Sequence, residues 1–239
     1  MNAHFACFVT GTDTGVGKTL VSAALLHLLV KAGLDAVGMK PVAAGAVLID
    51  GRLANDDVDQ LAAAGNLLLP IALRAPYVLQ AAAAPHIAAS REGITISLAH
   101  LLDCYRQLAA RAEAVVVEGV GGFCVPLSDD ADTADLAQQL GLPVVLVVGM
   151  RLGCLSHALL TAEAIRARGL SLAGWVANLI EPDMEYLPDN IAALTLRLDT
   201  PLLGVLPALG AQASATQASR YLDAELLTGW PATLKRPNN

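Results

Sequence analysis

The stretch GTDTGVGKT, residues 11–19, sets a lysine ammonium and a threonine hydroxyl side by side behind three glycines. A phosphate bound at such a loop is surrounded by backbone N–H groups at a helix N-terminus, where the helix dipole also favours an anion. The lysine bridges phosphates, and the adjoining hydroxyl is a ligand for Mg2+. The backbone of Gly15, Val16, Gly17, Lys18, Thr19 and Leu20 is therefore the candidate cradle, with Thr19 a candidate metal ligand. One feature departs from the usual G-x-x-x-x-G-K-T spacing. Gly11 lies one residue too far upstream, and Thr12 stands where the opening glycine is expected. A chance glycine-rich turn does not account for Lys18-Thr19 at a helix start, so nucleotide binding is the better reading.

Phosphoryl chemistry also needs carboxylates for the metal and cations for the transferred group. AVVVEG (114–119) ends in Glu118, just before Val120-Gly121-Gly122, which suits a carboxylate at the crest of a buried strand. A buried ion pair is the alternative role for it. The other source is Asn55-Asp56-Asp57-Val58-Asp59. On a helix Asp56 and Asp59 share one face and Asp57 takes another, so spacing does not choose between them. Asp56 reads more simply as a charge at a helix N-terminus. Lys40 closes the apolar run DAVGMKPV (35–42), where an ammonium is costly unless it faces anions. With Lys18 it places two cations at one edge of a sheet, where positioning and charge stabilisation drive phosphoryl transfer. A plain surface position is the competing reading for Lys40.

The elements that must hold these groups alternate along the chain. Apolar runs at 5–10, 35–42, 114–119, 143–149, 172–178 and 202–207 read as strands, several of them apolar on both faces. Ala- and Leu-rich segments at 17–32, 56–65, 96–112, 132–140, 155–168 and 185–197 read as helices. This order implies an α/β fold, a doubly wound and mainly parallel sheet flanked by helices, in a single domain over 1–239. Residues 66–95 read as loops with a short helix, 208–220 as a surface loop, and 235–239 as a frayed tail.

The composition is 55% hydrophobic and 15% charged, enough for a large core, and the net charge of −7 comes without a basic stripe for nucleic acid. Cys7, Cys104, Cys124 and Cys154 lack the pairing of a zinc site and read as buried thiols. No basic start precedes an apolar stretch, and the longest apolar run, 143–150, is strand-sized. A cytoplasmic protein without a membrane segment is expected.

Taken in order from Phe5 to Leu209, GTDTGVGKT, MKPVAAG, NDDVDQL, APHIAAS, VVVEGVGGFCVPLSD, LPVVLVVGMRLGCLSHALLT, LAGWVAN and PLLGVLP resemble the dethiobiotin synthetases. The extra loop residue is itself a feature of that family. The resemblance implies an ATP- and Mg2+-dependent ligase of biotin biosynthesis that joins CO2 to 7,8-diaminopelargonic acid. A carbamate forms, ATP phosphorylates it, and the second amine closes the ureido ring. In these terms Lys18 and Lys40 stabilise the carbamate and the γ-phosphoryl group. Thr19, Asp57 and Glu118 hold the metal, which selects Asp57 where spacing left the choice open. Gly119, Val120 and Gly121 adjoin the nucleotide, Asn178 contacts adenine, and Pro207-Ala208-Leu209 lines the base pocket. Thr14 and Ala44 lie near the diamine. Ala44 stands where some members have Ser, and Gly15 where some have an acidic residue; loss of one hydroxyl contact costs about 0.5–1.5 kcal/mol.

RLGCLSH (151–157) has a physical reading of its own, a glycine turn and Ser156 at a helix start with free N–H groups for an anion. An ordinary capped helix is all that the residues alone justify. The resemblance implies that Gly153, Cys154, Leu155 and Ser156 bind the substrate's distal carboxylate in the neighbouring subunit, making a homodimer with interfacial active sites. His86 and His157 read as local structural histidines, and no general base stands out.

Two other functions compete. A nucleotide-switched partitioning or metal-delivery ATPase of related fold commonly has a lysine just after the first loop glycine, where this chain has Thr12. A glutamine-dependent cobyrinate amidase needs an added glutaminase domain, for which 239 residues leave no room.

Overall fold

In the computed structural model, residues 5–210, 213–227 and 230 are described. The tail expected at 235–239 lies outside them. The chain opens with β1 (Phe5–Gly11), α1 (Lys18–Lys31), β2 (Ala36–Met39) and β3 (Val42–Ala43). A hairpin of β4 (Val47–Ile49) and β5 (Arg52–Ala54) leads into α2 (Asp56–Ala64), α3 (Ile71–Arg74), β6 (Tyr77–Val78) and α4 (Pro85–Arg91). Then come α5 (Leu98–Ala109), β7 (Ala114–Glu118), α6 (Thr133–Leu140), β8 (Val144–Met150) and α7 (Cys154–Ala167). β9 (Leu172–Leu179), α8 (Leu187–Leu198), β10 (Leu202–Leu206) and α9 (Ala215–Ser219) complete the set.

Six strands pair in the order β10-β9-β8-β1-β7-β2, every pair parallel. All residues of β7 and β8 are buried, as a central parallel strand covered on both faces requires. The two-residue period of a strand sorts the faces. Cys7, Val9 and Val116 pack with Leu25, Leu26 and Leu29 of α1. Phe8, Val115 and Val117 pack on the opposite side with Leu108 of α5 and Ala134 and Ala137 of α6. Burial of each such leucine contributes about 1.5–3 kcal/mol. From β1 the chain crosses to β2 on one flank and later fills β8 on the other. The strand order therefore reverses at the C-terminal end of β1, where open α/β sheets bind their ligands.

The structure departs from the sequence expectation in several segments, among them 66–95, which holds α3, β6 and α4 where loops and one short helix are expected. The run 35–42 is not one strand: β2 stops at Met39, the Lys40 N–H donates to Arg74 O at 2.7 Å, and Pro41 has no N–H to continue a ladder. Residues 208–220 are not all loop, because the Ser214–Gln217 capping box starts α9, whose Ala218 is buried against the α1 side of the core. The β4–β5 hairpin was not expected, although Asp50-Gly51, both at positive φ, is a strong hairpin turn signal. No helix among the described residues is long and apolar enough to cross a membrane.

Candidate active site

The extra loop residue is absorbed into the strand. Gly11 pairs with Val147, and the Thr12 N–H still donates to Val147 O at 3.0 Å before the chain turns. α1 then starts at Lys18 from Gly17, an N-cap at φ 92 with no side-chain cap, so the first-turn N–H groups remain for an anion. Only glycine fits position 17: its φ is left-handed, and a Cβ there would stand 2.2 Å from Asn178 Nδ2. Asn178 in turn donates to Val16 O at 2.8 Å and braces the loop from β9. Lys18 folds back along the loop and donates to Asp13 O at 2.8 Å.

At the ends of β2 and β7, Lys40 and Glu118 are 3% and 0% exposed. The Lys40 ammonium lies 2.6 Å from Glu118 Oε1 and 2.7 Å from Asp57 Oδ2, and donates to Gly119 O at 3.1 Å. The Thr19 hydroxyl is 2.7 Å from Asp57 Oδ1 and 2.9 Å from Glu118 Oε1. Asp57 reaches this point because Asn55 caps α2, accepting from the Asp57 and Val58 N–H groups. Asp56 and Asp59 are exposed, so of the three aspartates it is Asp57 that stands beside Thr19 and Lys40.

Burial lowers the Lys18 pKa to about 8, with help from the neighbouring Lys40 charge. Burial also pushes Lys40 downward, but Glu118 and Asp57 outweigh it and hold that ammonium charged. For Asp57, burial is overcome by Lys40, and its carboxyl stays below the usual range. Glu118 is raised, since burial and the Asp57 charge together exceed the pull of Lys40.

Thr19, Asp57 and Glu118 gather hydroxyl and carboxylate oxygens at one point, the hard donor set that Mg2+ takes. Glu118 Oε2 is buried without a hydrogen-bond partner. Among the described residues no group of three or more His, Cys, Asp or Glu could hold a metal, so this set needs phosphate oxygens or water to complete a shell.

These groups open onto a cavity of about 730 Å3. Of the residues predicted from sequence, it collects Thr14, Gly15, Gly17, Lys18, Thr19, Lys40, Ala44, Asp57, Glu118, Val120 and Gly121. Val16 is buried behind the loop, Leu20 is on α1, and Gly119 meets the site through its carbonyl. Asn178 braces the loop, while Pro207, Ala208 and Leu209 follow β10 and do not line this cavity.

Gly153, Cys154, Leu155 and Ser156 do not line it either. The glycine turn and helix start expected there are present: Gly153, at φ 92, is the N-cap of α7, Cys154 is its first residue, and Ser156 lies in the first turn. That turn touches the site indirectly, through Arg151 at 2.6 Å from Asp13 Oδ2.

Sequence reasoning missed Asp13, Gly122, Val125 and the wall Ala82–Pro85. Pro85 at the first position of α4 was the available signal, of a helix start. Gly122 was noted only as part of the turn after Glu118, and Asp13 and Val125 carried no type-specific mark.

A glycine loop between a parallel strand and an uncapped helix, with a lysine at the phosphate position, one carboxylate at the end of the neighbouring β7 and a second from α2, defines a phosphate-loop nucleotide-binding protein. Residues 6–216 match a family model described as an AAA domain. Over 235 residues the chain is 57% identical to the ATP-dependent dethiobiotin synthetase BioD of Janthinobacterium sp. (strain Marseille), spanning 97% of this chain and 99% of that protein. The chain belongs to the dethiobiotin synthetase family. Its fold is also similar to the MinD cell division protein of Aquifex aeolicus, at TM-score 0.53 and 13% identity over 95% of this chain and 92% of that one. A chain of the Aquifex aeolicus MinC:MinD cell division protein complex gives TM-score 0.54 at 13% identity, covering 90% and 91%. At that identity the likeness is one of fold alone.

Proposed function

We propose that this chain converts 7,8-diaminopelargonic acid, CO2 and ATP into dethiobiotin, ADP and phosphate, as an ATP-dependent cyclo-ligase of biotin biosynthesis. The observation that carries the reading is the buried Lys40 ammonium, held between Asp57 and Glu118 beside the Thr19 hydroxyl at the mouth of the phosphate loop. Such an arrangement stabilises negative charge during phosphoryl transfer without reorganisation.

One amine adds to CO2 as a carbamate and releases a proton. A carbamate oxygen attacks the γ-phosphorus of ATP, and ADP leaves. The second amine then attacks the carbamate carbon, expels phosphate and closes the ureido ring. Lys18 binds the phosphates, and Lys40 faces the oxygens that gain charge. Thr19, Asp57 and Glu118 would hold Mg2+, which supplies charge neutralisation for the nucleotide phosphates. Gly15 to Leu20 offer backbone N–H groups to the phosphates, with Gly119, Val120 and Gly121 alongside.

The base side is assigned to Asn178 and to Pro207, Ala208 and Leu209, which lie at or beyond the C-terminal ends of β9 and β10. Thr14 and Ala44 face the diamine across the cavity, whose further wall of Ala82, Ala83, Ala84, Pro85 and Val125 suits an aliphatic chain. The carboxylate end is assigned to Gly153, Cys154, Leu155 and Ser156 of a second subunit, in a cytoplasmic homodimer. The test supplies diamine, bicarbonate, ATP and Mg2+ and looks for dethiobiotin by mass. ATP hydrolysis that ignores the diamine and yields no ring-closed product would sink the reading.

A further inference from the structure

Beyond the residues that line the cavity, one buried hydroxyl ties down the segment 123–125, whose Val125 is part of its wall. Residues 120–122 and 125 form the side of the cavity that faces Thr14. Gly121 is at φ 65, and a Cβ there would meet Val125 Cγ2 at 2.9 Å and come within 3.6 Å of Thr14 Oγ1. Only the absent side chain of Gly121 separates Val125 from Thr14 there, so a small shift of the wall changes the space beside the phosphate loop.

What fixes the wall is Thr133, the first residue of α6, which is 2% exposed and does not line the cavity. Its hydroxyl donates to Phe123 O at 2.5 Å and accepts from the Val125 N–H at 3.0 Å. Its own N–H donates to Val125 O at 2.9 Å. Two of the three bonds that tie 123–125 to α6 therefore pass through one side-chain oxygen.

The anchor behind it is firm. Asp132 and Asp135 form a reciprocal capping box at 2.7 and 2.9 Å, and Arg168, the C-cap of α7, pairs with both carboxylates. A helix start secured this way gives the loop a reference point independent of the nucleotide.

We infer that Thr133 is a positioning residue for the second substrate: its hydroxyl sets the glycine wall against Thr14 and so shapes the space that receives the diamine. The inference rests on the proposed cyclo-ligase reading, and the test separates the two. Thr133→Val keeps the shape and deletes the hydroxyl, whereas Thr133→Ser keeps the hydroxyl. Misplacement of a reacting group by a fraction of an ångström to an ångström costs about 10- to 100-fold in rate.

Thr133→Val should therefore lose that factor in kcat/KM for the diamine, while Kd for Mg-ADP changes by less than about threefold. Thr133→Ser should recover most of the loss. If Thr133→Val does not fold, the same comparison is made with Thr133→Cys. Wild-type kcat/KM in the hydroxyl-less variant, an equal loss in nucleotide affinity, a serine variant as poor as the valine one, or failure of both Val and Cys variants to fold would each overturn the inference, the last by showing a purely structural role. Failure of the cyclo-ligase reading looks different, because the unaltered protein itself would then make no dethiobiotin.

Discussion

Lys40 Nζ and Glu118 Oε1 lie 2.6 Å apart, from the ends of two adjacent strands separated by 78 residues of chain. The pair has no solvent to share, since both side chains are almost wholly buried. A buried pair of this kind is weak evidence for stability, because desolvation offsets much of the attraction. What it does is keep an ammonium charged and fixed at the mouth of the glycine loop. Parallel pairing of β2 with β7 ends at Met39 opposite Val117, and Lys40 and Glu118 are the next residues along the two chains.

The first prediction concerns that ammonium. Lys40→Ala should leave Kd for Mg-ADP within a few-fold of the unaltered protein, because Lys18 and the loop N–H groups bind the phosphates. Turnover should fall by about 10²- to 10³-fold, the usual cost of removing one preorganised group that stabilises developing charge. Steady-state kinetics with nucleotide titration decide it, and normal turnover would remove Lys40 from the mechanism. A lower melting temperature should accompany the change, since Glu118 and Asp57 lose their counter-ion.

The second compares neighbouring aspartates. Asp57 touches Thr19 and Lys40, whereas Asp56 is exposed at the start of the same helix. Asp57→Asn should raise the Mg2+ concentration needed for half-maximal ATP turnover by roughly 10- to 100-fold, and Asp56→Asn should leave it nearly unchanged. The reverse order would show that the wrong carboxylate has been assigned.

The third follows from the depressed Lys18 pKa. Burial lowers the Lys18 pKa to about 8, and bound phosphates favour its charged form. Nucleotide binding near pH 8 should therefore take up a fraction of a proton. Affinity should be flat well below that pH and fall as pH rises through it, by up to about tenfold per unit. Calorimetry in buffers of different ionisation enthalpy measures the uptake. Lys18→Met should bind more weakly and lose this pH dependence; the same slope in that variant would assign the proton to another group.

These groups differ in how openly the sequence displayed them. Lys18, Thr19 and Glu118 stood out because motif spacing and strand ends are local features, read within a few residues. The central strands were legible for a similar reason: a parallel strand covered on both faces has to be a continuous apolar run. Asp57 was not legible from spacing, since its selection over Asp56 depends on how the Asn55 cap orients α2 toward β7. Asp13, Gly122, Val125 and Ala82–Pro85 were missed because their part in the cavity comes from loop packing between distant segments, and the one local mark among them, Pro85 at the start of α4, signals a helix start and not a cavity wall. The β4–β5 hairpin is the opposite case, a local Asp-Gly signal that was present and passed over.

The last prediction separates two costs at one glycine. Gly17 has φ 92, and an added Cβ would stand 2.2 Å from Asn178 Nδ2. Gly17→Ala therefore suffers both a left-handed backbone, about 1–2 kcal/mol for an L-residue, and a collision with the side chain that braces Val16. Asn178→Ala alone removes the brace, leaves Gly17 relaxed, and should weaken nucleotide binding only modestly, since one hydrogen bond is worth about 0.5–1.5 kcal/mol. In the double variant the collision is gone and the dihedral cost remains, so it should be more stable than Gly17→Ala yet less stable than Asn178→Ala. Chemical denaturation gives the coupling energy, and residues in contact show non-additivity of about 0.5–3 kcal/mol. Strict additivity would mean that the loop moves aside from Asn178 at no cost, and that the close approach of β9 to the phosphate loop does not restrain it.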